Sequence, residues 1–251
     1  MTILHSVKPP IQDMAAPEAG AVLKSEGASF LQVNDVRKSF MSGSRKIEVL
    51  KGIGLSIAPS KLTMLRGRSG SGKTTLLNLL GGLDRPTEGE IYFRGRPLHA
   101  WSDKQLTTVR RQEIGFIFQS FALLPLLTAW ENVELSLRLA GIPRAEWKER
   151  VGRCLELVGL TKRAFHHPSE LSGGEQQRVA IAKGIAHKPK LLLADEPTAE
   201  LDTQMAARII AVFRDIIEAE QTAICMTTHD STLWGAADVV YQMADGTLVP
   251  E

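Results

Sequence analysis

The chain has 251 residues, 43% hydrophobic and 23% charged, which suits one large domain or two lobes of a soluble α/β protein. A net charge of +2 and a sequence pI near 8.6 are too mild to make nucleic acid an obligate partner. No apolar run approaches the roughly 18 residues that span a bilayer, and the first thirty residues lack an apolar signal core, so a cytosolic chain is expected.

Residues 1–28, rich in Pro, Ala, Ser and Gly and without a sustained period, are expected to form a flexible extension. From Ser29 the pattern becomes strand-like through Leu31-Gln32-Val33 and Glu48-Val49-Leu50, separated by a turn at Ser42-Gly43-Ser44. Glu90-Ile91-Tyr92-Phe93 reads the same way, and together these pieces predict an antiparallel layer. Between them Leu62 to Leu65 reads as a short buried strand, and Thr74 to Leu80 as a helix ended by Gly81-Gly82. The eight residues joining strand to helix are Gly67-Arg68-Ser69-Gly70-Ser71-Gly72-Lys73-Thr74, which fit G-x-x-x-x-G-K-[ST], the P-loop pattern. Glycines there let successive backbone N–H groups turn inward, and the helix start adds free N–H groups and the positive end of its dipole. Lys73 supplies a point charge for the outer phosphates, and the Thr74 hydroxyl can ligate Mg²⁺. The predicted phosphate site therefore comprises these eight residues and the next, Thr75.

Ile114 to Gln119 is predicted as a strand closing on one polar residue, followed by the Pro-broken apolar stretch Phe121 to Leu127. Helices are predicted from Trp130 to Ala140 and from Arg144 to Val158, with Cys154 in the apolar series of the second. Leu171-Ser172-Gly173-Gly174-Glu175 opens a further helix. Its free N–H groups and the Ser172 hydroxyl make either a second anion site or an ordinary capped start, with Glu175 a plain first-turn acid. Leu191 to Ala194 is an uninterrupted apolar strand, delivering Asp195 and Glu196 at the sheet end where such folds place their chemistry. Asp195 can hold Mg²⁺ opposite Thr74, and Glu196 can orient or deprotonate a water. Thr203 to Glu220 is an amphipathic helix, with Met205, Ile209, Val212, Phe213, Ile216 and Ile217 on one face and Arg214, Asp215 and Glu218 facing away. A strand from Ala223 to Met226, containing Cys225, leads to His229. Val239 to Met243 and Thr247 to Val249 flank the hairpin turn Asp245-Gly246, with no accessory C-terminal domain expected. Both cysteines are expected as buried thiols, neither in a disulfide nor on a metal.

The order of Gly67–Thr74, Leu171-Ser172-Gly173-Gly174-Glu175-Gln176-Gln177-Arg178 and Leu193-Ala194-Asp195-Glu196-Pro197-Thr198 resembles the ATP-binding-cassette (ABC) family, over about residues 30–250. The resemblance implies a RecA-like P-loop core with an antiparallel β layer and an inserted helical subdomain at about 120–186, all within an ATP-binding domain of residues 29–251. It also implies ATP and Mg²⁺ as cofactors and a head-to-tail homodimer, in which the P-loop of one subunit faces Ser172, Gly173, Gly174 and Glu175 of the other. In it Phe40 matches the aromatic that stacks on adenine, and Gln119 the residue that senses Mg²⁺ and water. Glu196 matches the general base, Asp202 the loop acid that reaches across the dimer, and His229 the histidine on the γ-phosphate. Read without the family, Phe40 is plain core, Gln119 a strand-end cap and His229 a satisfied loop histidine. Leu77 to Thr87, Ile114 to Gln119, Ser120-Phe121 and Leu123-Leu124-Pro125 are similar to the LolD/MacB/FtsE-like branch, which works with an FtsX-type permease on a separate chain. That implies a subunit peripheral to the inner face of the cell membrane, coupled to efflux or force transmission. The competing reading, a soluble ABC ATPase acting on nucleic acid or ribosomes, lacks the second cassette, coiled-coil insertion or zinc cysteines such proteins carry. Three departures stand out: Lys183-Gly184 replaces Arg-Ala, Ala122 replaces a frequent Asn, and Ala199-Glu200 stands where Gly-Asn is typical.

Overall fold

The computed structural model describes residues 30–199 and 201–249; the expected extension at 1–28, and Glu200 of the third departure, lie outside them. Two sheets organise the chain. The first is antiparallel and pairs β2 (Arg45–Ile57), β1 (Leu31–Ser42), β4 (Glu88–Phe93) and the two-residue β5 (Arg96–Pro97) in that order. β1 and β2 run much further than the short apolar triplets predict, because the hairpin arm from Ser39 to Lys46 holds only two apolar residues, Phe40 and Met41, buries little and so carries no alternating signal.

The second sheet has the order β10-β9-β3-β8-β7-β6, from β3 (Leu62–Arg66), β6 (Ile114–Ile117), β7 (Leu191–Ala194), β8 (Ala223–Thr228), β9 (Val239–Ala244) and β10 (Thr247–Val249). β9, β3, β8, β7 and β6 are parallel, and β10 closes one edge antiparallel. Parallel strands covered on both faces must be apolar throughout, and β7 is buried at every residue. Side chains alternate between faces, so Leu192, Ala194, Ile224 and Met226 join one core while Leu191, Leu193, Ala223 and Cys225 join the other.

The core on the antiparallel-sheet side is completed by α1 (Lys73–Leu80) and α2 (Asp103–Gln112). On the opposite side lie α3 (Ala129–Ala140), α4 (Arg144–Leu157), α5 (Gly173–Ile185) and α6 (Thr203–Glu220). α6 buries Ala206, Ile209, Ile210, Phe213, Ile216 and Ile217, the larger of them worth roughly 1.5–3 kcal/mol each. Arg214, which its position directs away from that face, reaches Asp238 at 2.6 Å. β6 stops at Ile117, so Phe118 and Gln119 already belong to the loop. The backbones of β6 and α5 touch: a Cβ on Gly115 would come within 2.2 Å of the Gly184 carbonyl oxygen. Behind this contact Arg150 of α4 bonds the carbonyls of Ile185 and Ala186, at the end of α5, and pairs with Glu220 at the end of α6. Both cysteines are free and buried, and burial pushes the Cys154 thiol up to about 11 and Cys225 to about 12.

Candidate functional site

The P-loop leaves the carboxyl end of β3 and closes on α1. Gly72 is the N-cap of α1 at φ 101°, with ordinary side-chain residues excluded twice over: by that conformation and by Leu50 Cδ2, 2.8 Å from where a Cβ would lie. No side chain caps the α1 start, so its N–H groups face the loop. Ser71 is 5% exposed and its hydroxyl has no partner. A buried orphan hydroxyl beside uncapped N–H groups fits an anion that brings its own acceptors. Arg68, Ser69 and Gly70 are exposed on the loop rim, and Thr75 is half-buried in the first turn.

Lys73 bends back over the loop, donating to the carbonyls of Gly67 at 2.8 Å and Arg68 at 3.1 Å, with Glu196 Oε1 at 3.6 Å. The Thr74 hydroxyl donates to Asp195 Oδ2 at 2.9 Å. Asp195 is held from its other side by the Thr227 hydroxyl at 2.7 Å, and Thr227 in turn accepts from the Glu196 N–H at 2.8 Å. Adjacent parallel strands β7 and β8 place these groups, since each ends at the same sheet edge as β3. Thr227 is a site residue that sequence reasoning passed over; its signal is a hydroxyl at the end of an otherwise apolar strand. Glu196 takes φ +45°, a left-handed conformation that turns its carboxylate toward His229, whose Nδ1 lies 3.1 Å from Glu196 Oε2. A cavity of about 310 Å³ opens beside Thr74 and Asp195, walled by Leu77, Asn78, Asp84 and Phe116 to Phe118. Gln119 lines a separate narrow gap with Gln177, Glu196 and Leu201.

The remaining predicted residues stand apart. Phe40 lies on the β1 arm, 44% exposed, with Lys38 Nζ 4.9 Å from its ring centre; it is not the core residue expected without the family resemblance. Lys38 is held there by Asp84 and the Arg85 carbonyl, each at 2.7 Å. Ser172 is the N-cap of α5 in a capping box with Glu175. The Ser172 N–H is the main cause that holds the Glu175 carboxyl below its usual range, with Arg163 adding to it. Among the described residues no hydrogen bond or ion pair joins Ser172, Gly173, Gly174 or Glu175 to the P-loop of the same chain. Asp202 caps α6, accepting from the Met205 N–H at 2.8 Å.

A parallel sheet with a P-loop after one strand, an Asp–Glu pair after another and a second capped glycine start elsewhere defines a P-loop nucleoside-triphosphatase of cassette type. The sequence profile described as ABC transporter matches residues 50–199. The chain belongs to the ABC transporter family, as one of its ATP-binding, ATP-hydrolysing subunits. It is 44% identical over 220 residues to the uncharacterized ABC transporter ATP-binding protein YknY of Bacillus subtilis, covering 88% of this chain and 95% of the relative. To the lipoprotein-releasing system ATP-binding protein LolD of Maricaulis maris it is 42% identical, covering 88% and 96%. Against the macrolide export ATP-binding/permease protein MacB of Rhodopirellula baltica it is 44% identical but spans only 33% of that longer chain. Among solved structures, the dimeric post-hydrolysis state of the cassette MJ0796 bound to ADP and Pi superposes with a TM-score of 0.82 at 38% identity, over 88% of this chain and 97% of that one.

Proposed function

We propose that two copies of this chain close head to tail on two ATP molecules and drive a permease on a separate chain. One observation carries the reading: among the described residues Ser172 to Glu175 form a capped helix start with no hydrogen bond or ion pair to their own P-loop, while the α1 start has no side-chain cap and the Ser71 hydroxyl no partner. Each half-site is complementary to phosphate and neither completes the other within one chain. LolD and MacB are named for lipoprotein release and macrolide export, and we assign this subunit to the same efflux or force-transmission class.

In the cycle, Lys73 exchanges the carbonyls of Gly67 and Arg68 for the outer phosphates, where the acceptor is charged as well as the donor and the bond is the stronger. Phe40 presents an exposed ring for the adenine face. Thr74 and Asp195 would hold Mg²⁺, with Gln119 reaching it once its loop moves in from the neighbouring gap: hydroxyl, carboxylate and amide oxygens suit that hard cation, which binds through few protein ligands. When bound it neutralises charge on the phosphates. Glu196, aimed by its left-handed backbone and steadied by His229, accepts the proton of the attacking water. Asp202 at the start of α6 reaches the partner subunit. Leu124, Leu126 and Phe165 are exposed around α3 and supply an apolar face for the permease. Among the described residues no helix is long and apolar enough to cross a membrane. As the partner of a permease, the subunit is placed at the cytoplasmic face of the membrane, held there by it.

The test is Glu196→Gln. It should bind ATP with wild-type affinity, lose turnover by about 100-fold or more, as expected for a missing general base, and elute as a dimer in ATP but not ADP. Wild-type steady-state hydrolysis in this variant would remove Glu196 as the base. A monomer in saturating ATP would remove the closed dimer.

A further inference from the structure

Lys183, in the last turn of α5, places its ammonium on the Ala122 carbonyl. The turn that receives it is unusual. Phe121 and Ala122 hold φ +60° and +49° in succession, and the turn is closed by the Phe121 N–H on Phe118 and the Ala122 N–H on Ser120. Two consecutive left-handed residues with side chains persist only where their surroundings hold them. The turn begins at Gln119, which shares a gap with Glu196 and with Gln177 of α5. Gln177 is 2% exposed and its amide nitrogen has no partner among the described residues, so among these the helix faces this loop with a donor still to be satisfied. Lys183 makes no ion pair among the described residues, and lost solvation lowers its pKa. Among the described residues its charge-assisted bond is to this turn. At the other end of the same helix stands Ser172.

We propose that Lys183 is a positioning residue that locks the Gln119 turn to α5, so that the occupancy of one ATP site is passed along the helix to Ser172 at the other. The inference rests on the two-site dimer proposed above and names its internal link. A second role is open to a lysine in a last helical turn: complementing the negative end of the helix dipole, which would affect stability only.

The experiment is steady-state ATP hydrolysis against ATP and Mg²⁺ concentration for wild type, Lys183→Met, Lys183→Arg, Gln119→Ala and the Lys183→Met/Gln119→Ala double variant, with thermal unfolding alongside. Lys183→Met should lower kcat by about tenfold, leave the KM for ATP within about twofold and bring the Hill coefficient toward one, as for an interaction that acts on assembly of the site and not on ATP binding. Lys183→Arg, which keeps a charged donor, should restore both kcat and cooperativity. The double variant should turn over no more slowly than Gln119→Ala. Unchanged kcat and Hill coefficient in Lys183→Met, effects that multiply in the double variant, or a lower Tm with intact cooperativity would each overturn the inference. Should Lys183→Met not fold, Lys183→Gln is judged by the same criteria. A wild-type protein that hydrolyses ATP without cooperativity would overturn the dimer reading and this one together; wild-type cooperativity that survives in Lys183→Met overturns this one alone.

Discussion

Ala122 at φ +49° holds a conformation that costs an L-residue with a side chain roughly 1–2 kcal/mol. Glycine relieves that strain at the expense of more freedom in the unfolded chain. Ala122→Gly should therefore raise the unfolding free energy by up to about 1 kcal/mol, and Ala122→Val should lower it by about 1–2 kcal/mol. Denaturant unfolding of both variants checks the sign; stabilisation by valine would show that the turn relaxes in solution. Glu196 has the same kind of backbone at φ +45°, yet there the strain aims a carboxylate at His229 and is part of the site. Neither conformation is legible in the sequence. Alanine and glutamate carry no preference for left-handed backbone, and only long-range contacts impose it. Ala122 did differ from a commoner asparagine, a residue that tolerates this region, so the strain had a faint mark at that position.

At the scale of elements, apolar content decided what could be read. α6, β7 and the β9–β10 hairpin follow directly from periodicity, an unbroken apolar run and an Asp-Gly turn. α2 does not, because it buries only Leu106 and Val109; its trace is the Ser102–Gln105 capping box, which stands in the sequence as S-x-x-Q. The contact of Arg150 with the ends of α5 and α6 is likewise invisible, since it joins residues 35, 36 and 70 apart. Arg150 and Glu220 are each only 8% exposed, so removing one partner strands a charge. Glu220→Ala should cost about 3–5 kcal/mol in urea unfolding. Arg150→Met combined with Glu220→Leu should recover most of that, because a well-packed apolar pair replaces a buried ion pair at little cost. Simple additivity of the two changes would show that the pair does not act as a unit.

For the whole molecule, the half-sites were legible as separate motifs, while their separation within one chain needed the fold. If the working site is shared, complementation follows. Lys73→Ala and Ser172→Phe should each abolish hydrolysis alone. An equimolar mixture should recover activity, up to about a quarter of wild type, because half of the dimers are mixed and each of those keeps one intact site of two; coupling to the damaged second site lowers the figure. An inactive mixture, with mixed dimers demonstrated, would locate the whole site in one chain. The backbone contact between Gly115 and Gly184 bears on how such a dimer opens. With a carbonyl only 2.2 Å from where a Cβ would lie, the backbones of α5 and β6 meet closely at this point, which can serve α5 as a fulcrum. Ser172 lies twelve residues up the helix, a lever arm of about 18 Å at 1.5 Å per residue. A tilt of about 10° carries its hydroxyl about 3 Å, the length of one hydrogen bond. A rotation too small to disturb the core is therefore enough to engage or release a phosphate on the neighbouring subunit.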